Sequence, residues 1–307
     1  MLDLRSKANT GVVRVTFTSK DIEKFKNEMI KQLTQHSKPH APHPKPDRGS
    51  KLVEIDLFDV HFGKLAWGLE SGNNYDVKVA ERLYRYAIEK ALERTAHYKV
   101  DRFLFPVGND FFNVNGMAAM TFNGTPQQED LRWKKTFSRG WKLVKDSIER
   151  LAEVAPVDVI VIPGNHDFES AFYLGEVLSA VFSKDKRINV DNSPPVRKYY
   201  HWGSNLIGFT HGKDEKITDL PLIMATEDRR FSASRNCEWH IGHTHRKKEY
   251  SFVTAVDNKS VLVRILRALT YTDQWHHQNG YITRYKAGEV YVWDRSEGII
   301  NNVSVAV

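Results

Sequence analysis

Val157-Asp158-Val159-Ile160-Val161-Ile162-Pro163-Gly164-Asn165-His166-Asp167 joins two opposite chemistries within eleven residues. Its first six positions are almost all branched and apolar, the composition of a strand covered on both faces. The chain then turns abruptly to a glycine and to side chains that offer lone pairs or protons. A strand end is a rigid place from which a loop can aim ligands, and open α/β sheets bind their ligands at such ends. Phe168 to Phe182 follows as an apolar helix. The unit is therefore strand, polar loop, helix.

The same order recurs on both sides. Leu52 to Phe58 reads as a buried strand and runs into Asp59-Val60-His61. Phe103 to Val107 runs into Gly108-Asn109-Asp110-Phe111-Phe112-Asn113. Downstream, Leu206 to Thr210 precedes His211-Gly212, and Trp239-His240-Ile241 precedes Gly242-His243-Thr244-His245. Val77 to Ala96 has helical spacing, with Val79, Leu83, Ala87, Ile88 and Leu92 on one face. Leu131 to Glu153 also reads as a helix. Val261 to Ile265 and Val290 to Trp293 add strands. This alternation predicts an α/β layered core, and there is no internal repeat.

Singly, the polar clusters differ in weight. Asp-x-His and a lone His-Gly are weak signals; Gly-Asn-His-Asp and Gly-His-Thr-His, each after a β run, are strong. A satisfied core histidine explains any one of them more simply than it explains five in series.

Bulk composition bounds the rest. The chain of 307 residues suffices for one large domain or two modest ones. Hydrophobic residues make up 41% and charged residues 27%, as in soluble globular proteins. No apolar run is long enough for a transmembrane helix, and Met1 to Lys7 lacks the apolar core of a secretion signal. Cys237 is the only cysteine, which excludes an intrachain disulfide. A cytoplasmic location is expected. The 45 Lys and Arg outnumber the 38 Asp and Glu by 7, which favours polyanionic partners, nucleic acid above all.

Three segments are expected. Residues 1–36 form a small β/α segment, with Val12 to Phe17 alternating like a strand and Ser19 capping a helix through Phe25, Met29 and Leu33. Residues 37–50 form a Pro-rich extended linker with solvent-exposed histidines. Residues 51–307 form the main domain.

The five polar loops, in this order, resemble the calcineurin-like metallophosphoesterases over about residues 52–245. The resemblance implies a four-layer α/β/β/α sandwich of two mixed sheets, with two divalent metal ions at one edge. By matching motif, it implies Asp59, His61 and His245 at the first metal and Asn165, His211 and His243 at the second. Asp110 bridges them, and His166 stands beside the pair without binding either ion. Asn113 is expected to orient His166, and Asp167 either to support His166 or to cap the next helix. The family pattern has the acid directly after the glycine, whereas here Asn109 intervenes. Electrostatics favours Asp110 as the bridge: two dications about 4 Å apart repel by on the order of 15 kcal/mol at an effective dielectric near 20, which an anion offsets far better than an amide.

Mixed oxygen and imidazole donors suit Mn²⁺ first, with Fe, Zn²⁺, Co²⁺ and Mg²⁺ also open. The resemblance implies that a metal-activated hydroxide attacks phosphorus while His166 protonates the leaving oxygen. Residues 113–135 form either a wall over the site or a surface loop, and Trp133 faces either a groove or the core. Arg246-Lys247-Lys248, Lys64 and Lys213 follow the metal motifs and predict a basic rim for an anion larger than one phosphate. Trp275-His276-His277-Gln278-Asn279-Gly280 either lines the pocket or packs as a turn. With Thr125-Pro126-Gln127, this cluster resembles phage or prophage metallophosphoesterases of the repair-nuclease type. A DNA or RNA nuclease is expected. The alternative is a nucleotide or small-molecule phosphodiesterase or phosphomonoesterase, and a homo-oligomer is left open.

Overall fold

Backbone pairing follows the apolar runs closely. The computed structural model describes residues 51–253, 260–280 and 285–307, and the isolated positions Lys24 and Asn27. The expectations for residues 1–36 and 37–50 lie outside the described residues, save that Lys24 and Asn27 are helical and exposed.

In chain order the elements are β1 (Lys51–Asp56), α1 (Gly68–Ser71), α2 (Val77–Thr95), β2 (Val100–Gly108), α3 (Trp133–Ala152), β3 (Val157–Ile162), α4 (Phe168–Val181), β4 (Ile188–Asp191), β5 (Lys198–Trp202), β6 (Asn205–Thr210), α5 (Leu220–Glu227), β7 (Asn236–Ile241), β8 (Lys248–Val253), β9 (Ser260–Ile265), α6 (Gln274–Gln278), β10 (Ala287–Asp294) and β11 (Gly298–Ala306). One sheet has the order β11-β10-β1-β2-β3-β4 and the other β5-β6-β7-β9-β8. Neighbours from β1 to β4 are parallel, as are β6, β7 and β9, while β10, β11, β5 and β8 join antiparallel. The protein is thus α/β with two mixed sheets.

Side-chain alternation sorts the layers. Val53 and Ile55 of β1, Phe103 and Phe105 of β2 and Val157 and Val159 of β3 face outward onto Leu83, Ala87 and Ile88 of α2 and Val144 and Ile148 of α3. The opposite face carries Leu52, Leu104 and Ile160, which pack on Trp202, Ile207 and Phe209 of the second sheet. That sheet's far side, with Trp239 and Val263, is covered by Leu220 and Met224 of α5. At roughly 1.5–3 kcal/mol per fully buried large side chain, burial of this kind dominates the stability of the layers.

Between the sheets lies a buried polar node. Glu54 and Asp56 sit on the inner face of β1 opposite His240 of β7. Glu54 accepts from His240 Nδ1 at 2.7 Å and from Trp293 Nε1 at 2.7 Å. Burial works against a charged His240, yet the Glu54 carboxylate and the neighbouring acids hold its pKa well above the usual range. Burial and the neighbouring Glu54 push Asp56 well above the usual carboxylate range. Among the described residues no helix is long and apolar enough to cross a membrane.

Candidate metal centre

The parallel strands β1, β2 and β3 deliver three loops to one edge, and β6 and β7 deliver two more. Each loop leaves its strand through a tight turn. Among the described residues, seven non-glycine positions have positive φ, and six are Asp59, His61, Asn109, Asp110, His243 and His245. Left-handed backbone costs about 1–3 kcal/mol at such residues and persists where the surroundings impose it. The extra residue at Asn109 is absorbed by two consecutive left-handed positions, φ 52° and 61°. Close approach matters too. A Cβ at Gly164 would fall 2.0 Å from Asp110 Oδ1, and one at Gly242 would fall 2.8 Å from Asp59 Oδ2.

The side chains converge in a chain of overlapping groups: Asp59, His61 and His245; His61, Asp110 and His166; Asp110, His211 and His243. His61 Nε2 faces His245 Nε2 at 3.2 Å, and His245 Nε2 lies 3.4 Å from Asp59 Oδ1. At the other end, His211 Nε2 lies 3.1 Å from Asp110 Oδ2 and 2.8 Å from Asn165 Oδ1. Donors about 2.1 Å from a shared cation stand roughly 3.0–3.4 Å apart in octahedral or tetrahedral geometry. The edges at 3.1, 3.2 and 3.4 Å fit, and Asp110 groups with His61 and His166 on one side and with His211 and His243 on the other. Metal binding is therefore consistent with the donors present.

Electrostatics prepares the donors. Burial lowers the pKa of His61 well below the usual range, with the charge of His166 adding to it. Burial also lowers His245, and burial with the charge of His211 takes His243 down to about 4. All three are neutral near pH 7, as imidazole ligands must be. His211 is the exception: against burial, the Asp110 carboxylate holds it up at about 9. Conversely, His211 and His166 hold Asp110 below the usual carboxylate range despite its burial. In the absence of a cation, the His211 proton neutralises Asp110; a metal ion would displace that proton.

His166 lies beside His61 and Asp110. Its ring lies edge-on to His61 with centroids 4.5 Å apart, and its Nδ1 is 2.9 Å from the Asn113 backbone carbonyl. A carbonyl only accepts, so Nδ1 carries the proton of this bond. Asn113 contacts His166 through its backbone carbonyl, while its side-chain Nδ2 donates to Glu129 Oε1 at 2.6 Å. Asp167 takes neither expected role. It occupies the α4 N-cap position without a capping hydrogen bond. Its carboxylate accepts instead from the amides of Gly164, Asp110 and Phe112, clamping the second and third loops together.

Several supporting contacts join loops that are distant in the sequence. Asn109 Oδ1 meets His211 Nδ1 at 2.6 Å, and the Asn109 carbonyl accepts from the Asp59 amide at 3.0 Å. Only the fold brings these loops together. Glu129, half-buried with its Oε2 shielded and short of partners, is pushed up by burial to about 7. Asp273 caps α6, binds His276 Nδ1 at 2.7 Å and pairs with Lys64 at 3.5 Å, while the His276 ring stacks on His245 at 5.2 Å. The Trp275 segment thus reaches the site through His276.

The basic rim is only partly as expected. Lys64 is buried, donates to the Tyr271 carbonyl and is lowered by burial to about 8. Lys247 turns to Glu289 at 3.2 Å, and Lys213 pairs with its neighbour Asp214. Trp133 stacks on Phe137, on the core side rather than in a groove. Residues 113–135 do wall one side: the Phe122 amide donates to the Asn165 carbonyl at 2.8 Å, and Asn115 Oδ1 accepts from the Glu169 amide in the first turn of α4. Compared with known proteins, the chain matches no family model and no curated sequence.

Proposed function

We propose that the protein is a two-metal phosphoesterase of the calcineurin-like kind, cutting phosphodiester bonds in DNA or RNA. The observation that carries this is the continuous donor chain from Asp59, His61 and His245, through Asp110, to Asn165, His211 and His243, at one edge of a two-sheet core. The resemblance in motif order supports the same reading, as does the net charge of +7 for a polyanionic substrate.

Asp59, His61 and His245 would hold one ion and Asn165, His211 and His243 the other, with Asp110 between them; Mn²⁺ is the first choice. When bound, two such ions supply activation of water and neutralisation of phosphate charge. The chain's own residues supply the rest. Asp110 offsets repulsion across the pair. Asn113 fixes the His166 tautomer, so that protonated Nε2 can give its proton to the leaving oxygen. Asn109 and His276 hold His211 and His245 in place.

The test is a substrate panel with Mn²⁺: single-stranded and duplex DNA, RNA, bis-nitrophenyl phosphate and a nitrophenyl monoester. Polynucleotide cutting is expected, reduced about 10²- to 10⁴-fold in His166→Ala with metal content unchanged. Turnover of the small esters alone would move the function to a nucleotide or small-molecule phosphoesterase. Failure on every substrate with several metals would overturn the proposal.

A further inference from the structure

Exposed aromatic side chains stand at both ends of the donor chain. At the Asn165 end, Phe122, Phe168 and Phe172 are 58%, 40% and 42% exposed. Phe122 is fastened to Asn165 by the backbone bond described above, and its ring lies 4.9 Å from that of Phe168. Phe168 and Phe172 border a shallow groove of about 240 Å³ with Tyr173 and Pro194. At the His245 end, Trp275 is 57% exposed, and its ring stands 5.1 Å from His276, which itself stacks on His245.

Water-facing rings of this size lose apolar burial, and none is needed to complete a core cluster. Their placement matters more than their number. One set adjoins the loop that carries His166, and the other adjoins the opposite metal ligands. A phosphodiester held at the donor chain would therefore project its two flanking nucleosides toward the two sets. A base presents a flat π face to such a ring regardless of sequence, but only when it is unstacked from its neighbours. The chain's positive balance complements the intervening phosphates.

We propose that Phe122 and Phe168 on one side, and Trp275 on the other, are stacking platforms for the bases that flank the cleaved phosphate of a single-stranded polynucleotide. The inference rests on the phosphodiester function proposed above and adds its substrate class. Duplex DNA, whose bases are stacked and paired, is excluded from these platforms unless its ends fray.

The experiment compares full-length Mn²⁺-loaded protein with Phe122→Ala and Trp275→Ala. Affinity is read by fluorescence anisotropy on a labelled, phosphorothioate-linked single-stranded oligonucleotide, and chemistry is read separately on bis-nitrophenyl phosphate. Each alanine is expected to weaken oligonucleotide binding roughly 5- to 100-fold, the usual loss of a stacking ring. Small-diester turnover should stay within about twofold, because neither ring belongs to the donor set. Trp275→Phe should recover most of the binding, which a merely structural role for the indole would not. Unchanged oligonucleotide affinity beside intact small-diester turnover would overturn the platforms and leave the phosphoesterase standing. So would a changed oligomeric state without a change in affinity, which would make the rings a protein interface. Loss of all activity in the native protein would instead remove the underlying function.

Discussion

Asn109 aligns donors from three loops at once, because its side chain meets His211 and its carbonyl meets the Asp59 amide. Removing the amide leaves the ligands present but His211 free to rotate or change tautomer. Asn109→Ala is therefore expected to weaken Mn²⁺ binding about 10- to 100-fold in a calorimetric titration, while Asp110 and His211 remain. A second residue-scale consequence concerns Glu129. Burial raises its pKa from the ordinary 4.5 to about 7 in the folded protein. The folded state thus prefers the protonated acid. Glu129 adds stability that is fully present below pH 4.5 and is lost as pH rises through about 7. Glu129→Gln should remove this dependence, and at pH 8 it should be the more stable protein by on the order of 3 kcal/mol. Urea unfolding of both proteins at pH 4.5 and pH 8, with metal held constant, measures this. Parallel shifts in the two proteins would refute it.

At the scale of elements, strand ends and loops depend on close approach. Gly164 lies against Asp110, so Gly164→Ala must displace either the third loop or the Asp110 carboxylate. The expected outcome is a folded protein with reduced metal stoichiometry by elemental analysis. Between the sheets, His240 joins β7 to β1 through Glu54. His240→Ala strands a buried carboxylate and should cost about 3–5 kcal/mol in unfolding free energy, far more than an exposed ion pair. The elements that the sequence made legible share one property: their apolar residues are continuous or cleanly periodic. β3, α2, α3 and α4 emerge within a residue or two of expectation. β4, β5, β8 and β11 did not stand out, because they lie at sheet edges with partly or fully exposed residues such as Tyr199, Asn301 and Asn302. Of the donor set, every residue named from sequence lies at the strand-end edge. The unseen partners Asn109, Glu129 and Asp273 act through hydrogen bonds between loops distant in sequence. Local spacing carries no trace of such bonds.

For the whole molecule, charge and metal set the measurable behaviour. A protein with net charge +7 gripping a polyanion should bind less tightly as salt rises, losing roughly tenfold or more in affinity between about 50 and 200 mM salt. A flat salt profile would point to a small uncharged or singly charged substrate. Ions bound at these donors would also hold the two sheets together, because the loops after β1, β2 and β3 carry Asp59, His61, Asp110 and Asn165 while those after β6 and β7 carry His211, His243 and His245. Chelation should lower Tm, and metal at about 100 times its Kd should restore about 2.7 kcal/mol per site.

That division of the donors between sheets has a consequence for biosynthesis. His61 and His245 are separated by 184 positions, yet their nitrogens must meet. A nascent chain paused before His243 and His245 have left the ribosome lacks one donor from each candidate set and would hold neither ion firmly. On the function proposed above, the protein would be inert beside its own messenger RNA until translation has passed His245.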